Sequence, residues 1–171
     1  MSGPHLVLMG PMGSGKTTVG SIVAKRLGRP LVDSDEQIER EHGRTGLELA
    51  EEHGVAWLHA AEAEALRQAV VATEPSVIAA AASTADLEEI GTLLSGEDIT
   101  VVLLVGDVEV LAHRAKSGKH RRPIDVARSQ ELAEQRNERL LSVVDGVIDV
   151  TTPAPEEVAQ LVLSIGEVVD G

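Results

Sequence analysis

A glycine-rich segment near the start of the chain has the residue types and spacing of a phosphate-binding loop. Residues 10–17 read Gly-Pro-Met-Gly-Ser-Gly-Lys-Thr and match the pattern G-x-x-x-x-G-K-[ST] at every fixed position. In such a loop the backbone N–H groups turn toward phosphate oxygens, the lysine reaches the β- and γ-phosphates, and the last hydroxyl can bind Mg²⁺. The segment predicts a nucleotide site built from Gly13, Ser14, Gly15, Lys16, Thr17 and Thr18.

Two carboxylates are expected to face this nucleotide. Asp33 and Asp35 follow a short apolar run that is predicted to be a strand. In open α/β sheets the carboxyl ends of the strands border the ligand crevice. One carboxylate can hold the water shell of a metal ion, and the other can accept the proton of an attacking hydroxyl. The alternative is that Asp35 caps the next helix, whereas for Asp33 we expect no capping role.

Positive charge is local in this acidic chain. The segment 116–122 holds Lys116, Lys119, His120, Arg121 and Arg122. A mobile basic loop can exclude water and stabilise a phosphoryl group in transfer, although a solvated surface turn is the alternative. Farther on, Arg136 lies in a helical pattern. It could bind an anionic substrate, or it could pair with Glu134 or Glu138 at the surface.

Alternating strands and helices are expected to position these residues. Strands are predicted at 5–9, 31–33, 76–80, 99–105 and 147–150. Helices are predicted at 17–27, 34–42, 47–53, 55–72, 83–94, 107–116, 129–141 and 155–169. Ser83 and Asp86 have the spacing of a capping box at the start of the fifth helix. This order predicts an α/β fold, a three-layer α/β/α arrangement with a mostly parallel five-stranded sheet.

Composition narrows the possible partners. The length of 171 residues suits one domain, and a net charge of −13 argues against general nucleic-acid binding. Trp57 is the only aromatic residue, so no platform for base stacking is expected. The absence of cysteine excludes disulfides and thiolate chemistry, and no apolar run approaches the roughly 20 residues of a membrane helix. We expect a cytoplasmic protein without nucleic-acid or membrane partners.

These residues together resemble the shikimate kinase family over nearly the whole chain. The longer similar segments are 6–25, 27–43 and 54–66, and the shorter ones are 122–124, 132–136, Asp149 and 155–158. The resemblance implies a P-loop fold like that of the nucleoside-monophosphate kinases, with strand order 2-3-1-4-5. It also implies that Mg-ATP donates its γ-phosphoryl group to a ring hydroxyl of a small hydroxylated substrate.

On the nucleotide side, the resemblance implies a role for each of several residues. Lys16 and Thr17 would hold phosphate and magnesium, and Asp33 would organise the water shell of the metal. Arg122 would be the arginine of the lid, and Arg114 would flank the adenine. The lid is expected at about 115–124 and the substrate-binding helices at about 34–72, within a single domain spanning 1–171.

On the acceptor side, the resemblance implies that Asp35 would bind the acceptor hydroxyls and act as the base, and that Arg136 would pair with the substrate carboxylate. At other acceptor positions the chain departs from the family pattern. His59 stands where the pattern G-E-x-x-F-R-x-x-E has its arginine, and Ala81 and Ala82 stand where the family has glycines. A histidine lacks the bidentate fork of arginine and is mostly neutral at pH 7. ATP binding is therefore predicted more firmly than shikimate specificity.

Three functions remain open from the sequence. The leading hypothesis is an ATP-dependent kinase for shikimate or a related polyhydroxy compound, acting as a monomer. A gluconate-type carbohydrate kinase shares the phosphate loop, but it usually has Asp-Gly-Asp and a later His-Pro pair, which this chain lacks. A nucleotide-binding module that has lost acceptor phosphorylation is the third, suggested by His59 and by residues 81–83.

Overall fold

Five parallel strands form the centre of the fold, in a computed structural model that describes residues 3–116 and 125–169. They are β1 (His5–Met9), β2 (Leu31–Asp33), β3 (Val77–Ala79), β4 (Ile99–Val105) and β5 (Gly146–Asp149). Their order is β2-β3-β1-β4-β5, with β1 between β3 and β4. β1 is buried along its whole length, which is why its sequence is an unbroken, largely apolar run. The predicted fold class and strand order are confirmed.

Helices cover both faces of the sheet. They are α1 (Lys16–Leu27), α2 (Ser34–His42), α3 (Gly46–His53), α4 (Val55–Val70), α5 (Ile90–Leu94), α6 (Val108–Lys116), α7 (Val126–Leu140) and α8 (Pro155–Val169). Successive side chains of a strand point to opposite faces, so neighbours in β1 enter different cores. Leu8 packs in the core that contains Val23 of α1 and Val162 of α8. Val7 packs in the core that contains Leu66 of α4 and Leu140 of α7.

The predicted fifth helix, at 83–94, and its capping box are wrong. Residues Ala82–Asp86 form a short 3₁₀ turn without a side-chain cap, and the α-helix begins only at Ile90. The two residues of the expected box bind elsewhere: the Ser83 hydroxyl donates to Glu62, and the Asp86 carboxylate accepts from Arg136. Farther along the chain, α7 starts earlier than the expected residue 129 because Asp125 caps it by accepting from the backbone N–H of Arg128.

The helices α2, α3 and α4 have a small core of their own. It is formed by Ile38, Leu49, Ala50 and Leu58. Trp57 packs against this core and lies between two imidazole rings: its ring centroid is 5.2 Å from that of His42 in an edge-on arrangement and 4.6 Å from that of His53. The single aromatic side chain of the protein therefore joins all three helices, which are the ones predicted to bind the substrate.

The basic segment predicted to be a lid is only partly described. Lys116 ends α6, while residues 117–124, and Arg122 with them, lie outside the described residues. The assignment of Arg122 therefore stays a prediction. Among the helices that the structure describes, none has the length and apolar character needed to span a membrane.

Candidate active site

The glycine-rich segment forms a tight loop between β1 and α1. Gly13 and Gly15 have φ angles of 80° and 85°, a region that side-chain-bearing residues rarely occupy. A Cβ atom on Gly13 would lie 2.1 Å from the carbonyl oxygen of Leu111, because the loop runs directly against α6. The loop ends at the first turn of α1, whose unpaired N–H groups and positive dipole end favour an anion. This geometry is suited to a polyphosphate.

Lys16 lies folded over the loop. Its Nζ donates to the carbonyl oxygens of Gly10 at 2.7 Å and Pro11 at 3.0 Å. Burial lowers the pKa of Lys16 to about 8, and the negative charges of Asp35 and Asp33 partly oppose this effect. The ammonium form still predominates at neutral pH, so the site provides a positive charge beside the loop.

Asp33 links the first turn of α1 to the first turn of α2. Its Oδ2 accepts from the Thr17 hydroxyl at 2.5 Å, and its Oδ1 accepts from the backbone N–H groups of Asp35 at 2.9 Å and Glu36 at 3.2 Å. The expectation that Asp33 has no capping role is therefore wrong, as is the alternative in which Asp35 caps the helix. Asp33 is the cap because it ends β2 in an extended conformation that lets its carboxylate reach the first turn of α2.

The oxygens of Thr17 and Asp33 fit a magnesium ion. Mg²⁺ prefers hard oxygen donors and usually takes one or two of them from the protein, with water and substrate phosphates completing its shell. A hydroxyl and a carboxylate that already touch, at the start of a phosphate-binding helix, match that requirement. No group of three or more His, Asp or Glu side chains suited to a metal ion occurs within residues 3–116 and 125–169.

A cavity of about 490 Å³ opens beside the loop. It is enclosed by the loop, the helices α2–α4, the 3₁₀ turn after β3, and α6 and α7. The predicted site residues that line it are Lys16, Asp35, His59, Ala81, Ala82 and Arg136. Residues separated by up to 120 positions in the sequence thus meet around one space, with the expected phosphate site and the expected base on the same wall.

Arg136 has a partner that the sequence did not indicate. Its Nε donates to Asp86 Oδ1 at 3.0 Å and its Nη2 donates to Asp86 Oδ2 at 2.7 Å, so its acidic partner is not Glu134 or Glu138, the surface alternatives from the sequence. The hydrogen bonds from Arg136 hold the pKa of the Asp86 carboxyl below its usual value. The positive charges of Arg136 and Arg139, and that of His59 when its ring is protonated, add to this effect.

Glu62 is an acidic residue that lines the cavity itself. Glu62 is buried on α4 and accepts a hydrogen bond from the Ser83 hydroxyl. Ala81 is also buried, and its carbonyl oxygen accepts from the Thr84 hydroxyl at 2.6 Å. The segment after β3 is therefore fixed by side-chain hydrogen bonds, and its alanines Ala81 and Ala82 line the cavity.

Sequence reasoning missed one charged residue of this cavity and the ion-pair partner of another. Arg128 lines it together with Leu132 and Arg136, and the spacing of four residues between them marks one face of α7. That periodicity could have identified Arg128. Asp86 carried no such signal, because its partner Arg136 lies 50 positions later in the chain.

Arg114 lies on α6 and turns toward the end of the sheet. It donates to the carbonyl oxygens of Val150 at 2.8 Å and Thr151 at 3.0 Å. These bonds attach α6 to the segment that follows β5. Contact between Arg114 and the adenine stays a prediction.

Comparison with known proteins agrees with this arrangement. The family model described as shikimate kinase matches residues 12–166. A shikimate kinase of Streptomyces coelicolor is 36% identical over 170 residues, which cover 98% of each chain. Among solved structures, the shikimate kinase of Acinetobacter baumannii in complex with shikimate has a TM-score of 0.85 at 28% identity, covering 96% of this chain and 93% of that one. The shikimate kinase of Aquifex aeolicus has a TM-score of 0.79 at 29% identity, covering 98% and 99%.

These matches run through both the nucleotide half and the acceptor half of the chain, and they do not favour the carbohydrate-kinase or the binding-module alternative. One assignment follows from the glycine-rich loop, the cavity beside it and a relative that is 36% identical over almost the entire length. The protein belongs to the shikimate kinase family and is an ATP-dependent phosphotransferase that acts on an alcohol group.

Proposed function

We propose that this enzyme transfers the γ-phosphoryl group of Mg-ATP to a ring hydroxyl of shikimate. The observation that carries the proposal is the single cavity in which Lys16, Asp35 and Arg136 converge. The reaction needs a positive side chain at the nucleotide phosphates, a carboxylate that can act as a base, and an arginine that can bind the carboxylate of the acceptor. The similarity to an enzyme whose structure contains shikimate supports this choice of acceptor.

On the nucleotide side, the backbone of Gly13, Ser14, Gly15, Lys16, Thr17 and Thr18 is proposed to bind the phosphates. Thr17 and Asp33 would hold Mg²⁺, Thr17 directly and Asp33 through its water shell; the bound ion would neutralise charge on the phosphates. The ammonium of Lys16 would stabilise the charge on the transferring group. Arg114 and Arg122 keep their proposed roles beside the adenine and in the lid.

On the acceptor side, Asp35 is proposed to accept the proton of the attacking hydroxyl. The hydroxyl oxygen would bond to the γ-phosphorus as the bond to the bridging oxygen of ADP breaks, and the proton would pass to the Asp35 carboxylate. The exposed position of Asp35 in the first turn of α2 suits this role, because Asp33 already caps the helix. His59, Ala81 and Ala82 would contact the acceptor, and Arg136 would bind its carboxylate.

The test measures ADP release with shikimate, quinate and gluconate as separate acceptors. Shikimate is expected to stimulate release most strongly, and Lys16→Met is expected to abolish the stimulation. Asp35→Asn should lower kcat by about 10²- to 10⁴-fold while the Kd for ATP changes little, because it removes only the base. ATP binding without stimulation by any of the three acceptors would contradict the proposal. The single-domain, monomer and cytoplasmic expectations stay predictions.

A further inference from the structure

The edge of the Arg136 guanidinium that would bind a substrate carboxylate is already hydrogen-bonded to Asp86. Nε and Nη2 form the two parallel hydrogen bonds to Asp86 that a substrate carboxylate would form with the same edge. Both side chains retain access to solvent, with 20% of Arg136 and 44% of Asp86 exposed. Arg136 lines the cavity, as do Ser83 and Ala85 of the turn that ends at Asp86, so the pair lies at the edge of the cavity.

An acceptor carboxylate meets a negative charge at this edge. It can displace Asp86 from Nε and Nη2, which breaks two charge-assisted hydrogen bonds. It can instead approach another edge of the guanidinium while Asp86 remains, and it is then repelled by a like charge at short range. Either route weakens the binding of a carboxylate relative to a site in which Arg136 has no acidic partner.

Arg128, two turns before Arg136 on α7, also lines this cavity, but the position at which the family pattern has a second arginine gives little compensation. His59 occupies the position at which the family pattern has an arginine, and an imidazole carries little charge at neutral pH. Glu62 adds a buried acidic group to the same cavity wall. Arg139 donates to the backbone oxygen of Asp86 at 3.1 Å, so it helps to fix the turn and leaves the Asp86 carboxylate to Arg136.

We propose that Asp86 sets the acceptor preference of this kinase by competing with the acceptor carboxylate for Arg136. The inference rests on the proposed function and adds a specificity-determining residue to it. Asp86 acts through Arg136, so it is a positioning residue. It raises the KM for acceptors that carry a carboxylate and leaves the chemical step and ATP binding as they are.

The test compares the wild type with Asp86→Asn, which keeps the shape of the side chain and removes its charge. The KM for shikimate is expected to fall by about tenfold, the effect of one charge-assisted hydrogen bond regained by the substrate. The kcat and the KM for ATP should change by less than about twofold. The methyl ester of shikimate should gain nothing from the substitution, because it has no charge to compete with Asp86.

Glu89→Gln is the matched control. Glu89 lies three residues after Asp86 and pairs with Arg67, so the variant removes the same charge and breaks the same type of exposed pair. Its KM for shikimate should equal that of the wild type. Asp86→Ser provides a second variant, with melting temperature measured for both, so that a folding defect in one does not decide the result.

Two failures can be told apart. If the wild type phosphorylates shikimate but Asp86→Asn and Asp86→Ser leave its KM unchanged or raise it, Asp86 only anchors the turn to α7 and the competition is refuted. The same holds if Glu89→Gln lowers the KM equally, since net charge alone would then explain the effect. If neither the wild type nor the variants phosphorylate shikimate, the proposed function fails and the competition falls with it.

Discussion

The depressed pKa of Lys16 predicts that nucleotide binding weakens in mild alkali. With a pKa of about 8, Lys16 is roughly 90% protonated one pH unit below that value and roughly 10% protonated one unit above it. The phosphates interact with the ammonium form, so the Kd for ATP should rise about tenfold between pH 7 and pH 9, or about 1.4 kcal/mol. The sign follows from burial, which favours the neutral amine in the free protein, whereas a bound anion favours the cation.

Isothermal calorimetry provides the assay. At about pH 8, ATP binding should take up about half a proton, which appears as a difference in heat between buffers of different ionisation enthalpy. Lys16→Arg is the matched control, because its guanidinium stays charged at both pH values and should bind with little pH dependence. A wild-type Kd that is flat across this range, with no proton uptake, would show that the Lys16 ammonium does not contact the nucleotide.

Two further substitutions test the geometry of the two halves of the site. Gly13→Ala should weaken ATP binding by at least about tenfold, because the new Cβ would lie 2.1 Å from the Leu111 carbonyl oxygen in a backbone of φ 80°. Gly28→Ala is the control, because Gly28 also has a positive φ but has open space around it. This variant should lose only about 1 kcal/mol of stability and keep its ATP affinity. His59→Arg should lower the KM for shikimate by about tenfold, because it restores a charged bidentate donor; a higher KM in the ADP-release assay would refute the placement of His59 at the acceptor.

The parts of the fold that the sequence predicted well are those with local causes. β1, β2 and β4 follow from continuous apolar runs, and the phosphate loop follows from glycines whose spacing has one structural meaning. The capping box at Ser83 and Asp86 failed for the opposite reason. Both side chains had distant competitors, Glu62 and Arg136, whose proximity depends on how α4 and α7 pack around the turn.

The acceptor half shows the same limit. Asp35, His59 and Arg136 were found from motif positions, and the structure brings them to one cavity. The ion pair of Arg136 could not be predicted, because the sequence offered only neighbours in the same helix, Glu134 and Glu138, and its actual partner Asp86 lies on another element. Local patterns thus identified the residues that meet, while the ion pairs among them required the tertiary fold.

The position of Trp57 makes the protein its own optical sensor. No other tryptophan or tyrosine contributes to the emission, so the fluorescence reports on a single place. That place is the contact of α4 with His42 at the end of α2 and His53 at the end of α3. Any movement of these helices on ligand binding changes the distance between the indole and its quenching neighbours. A movement of α2, α3 or α4 on ligand binding can therefore be tested by stopped-flow fluorescence without attaching a dye.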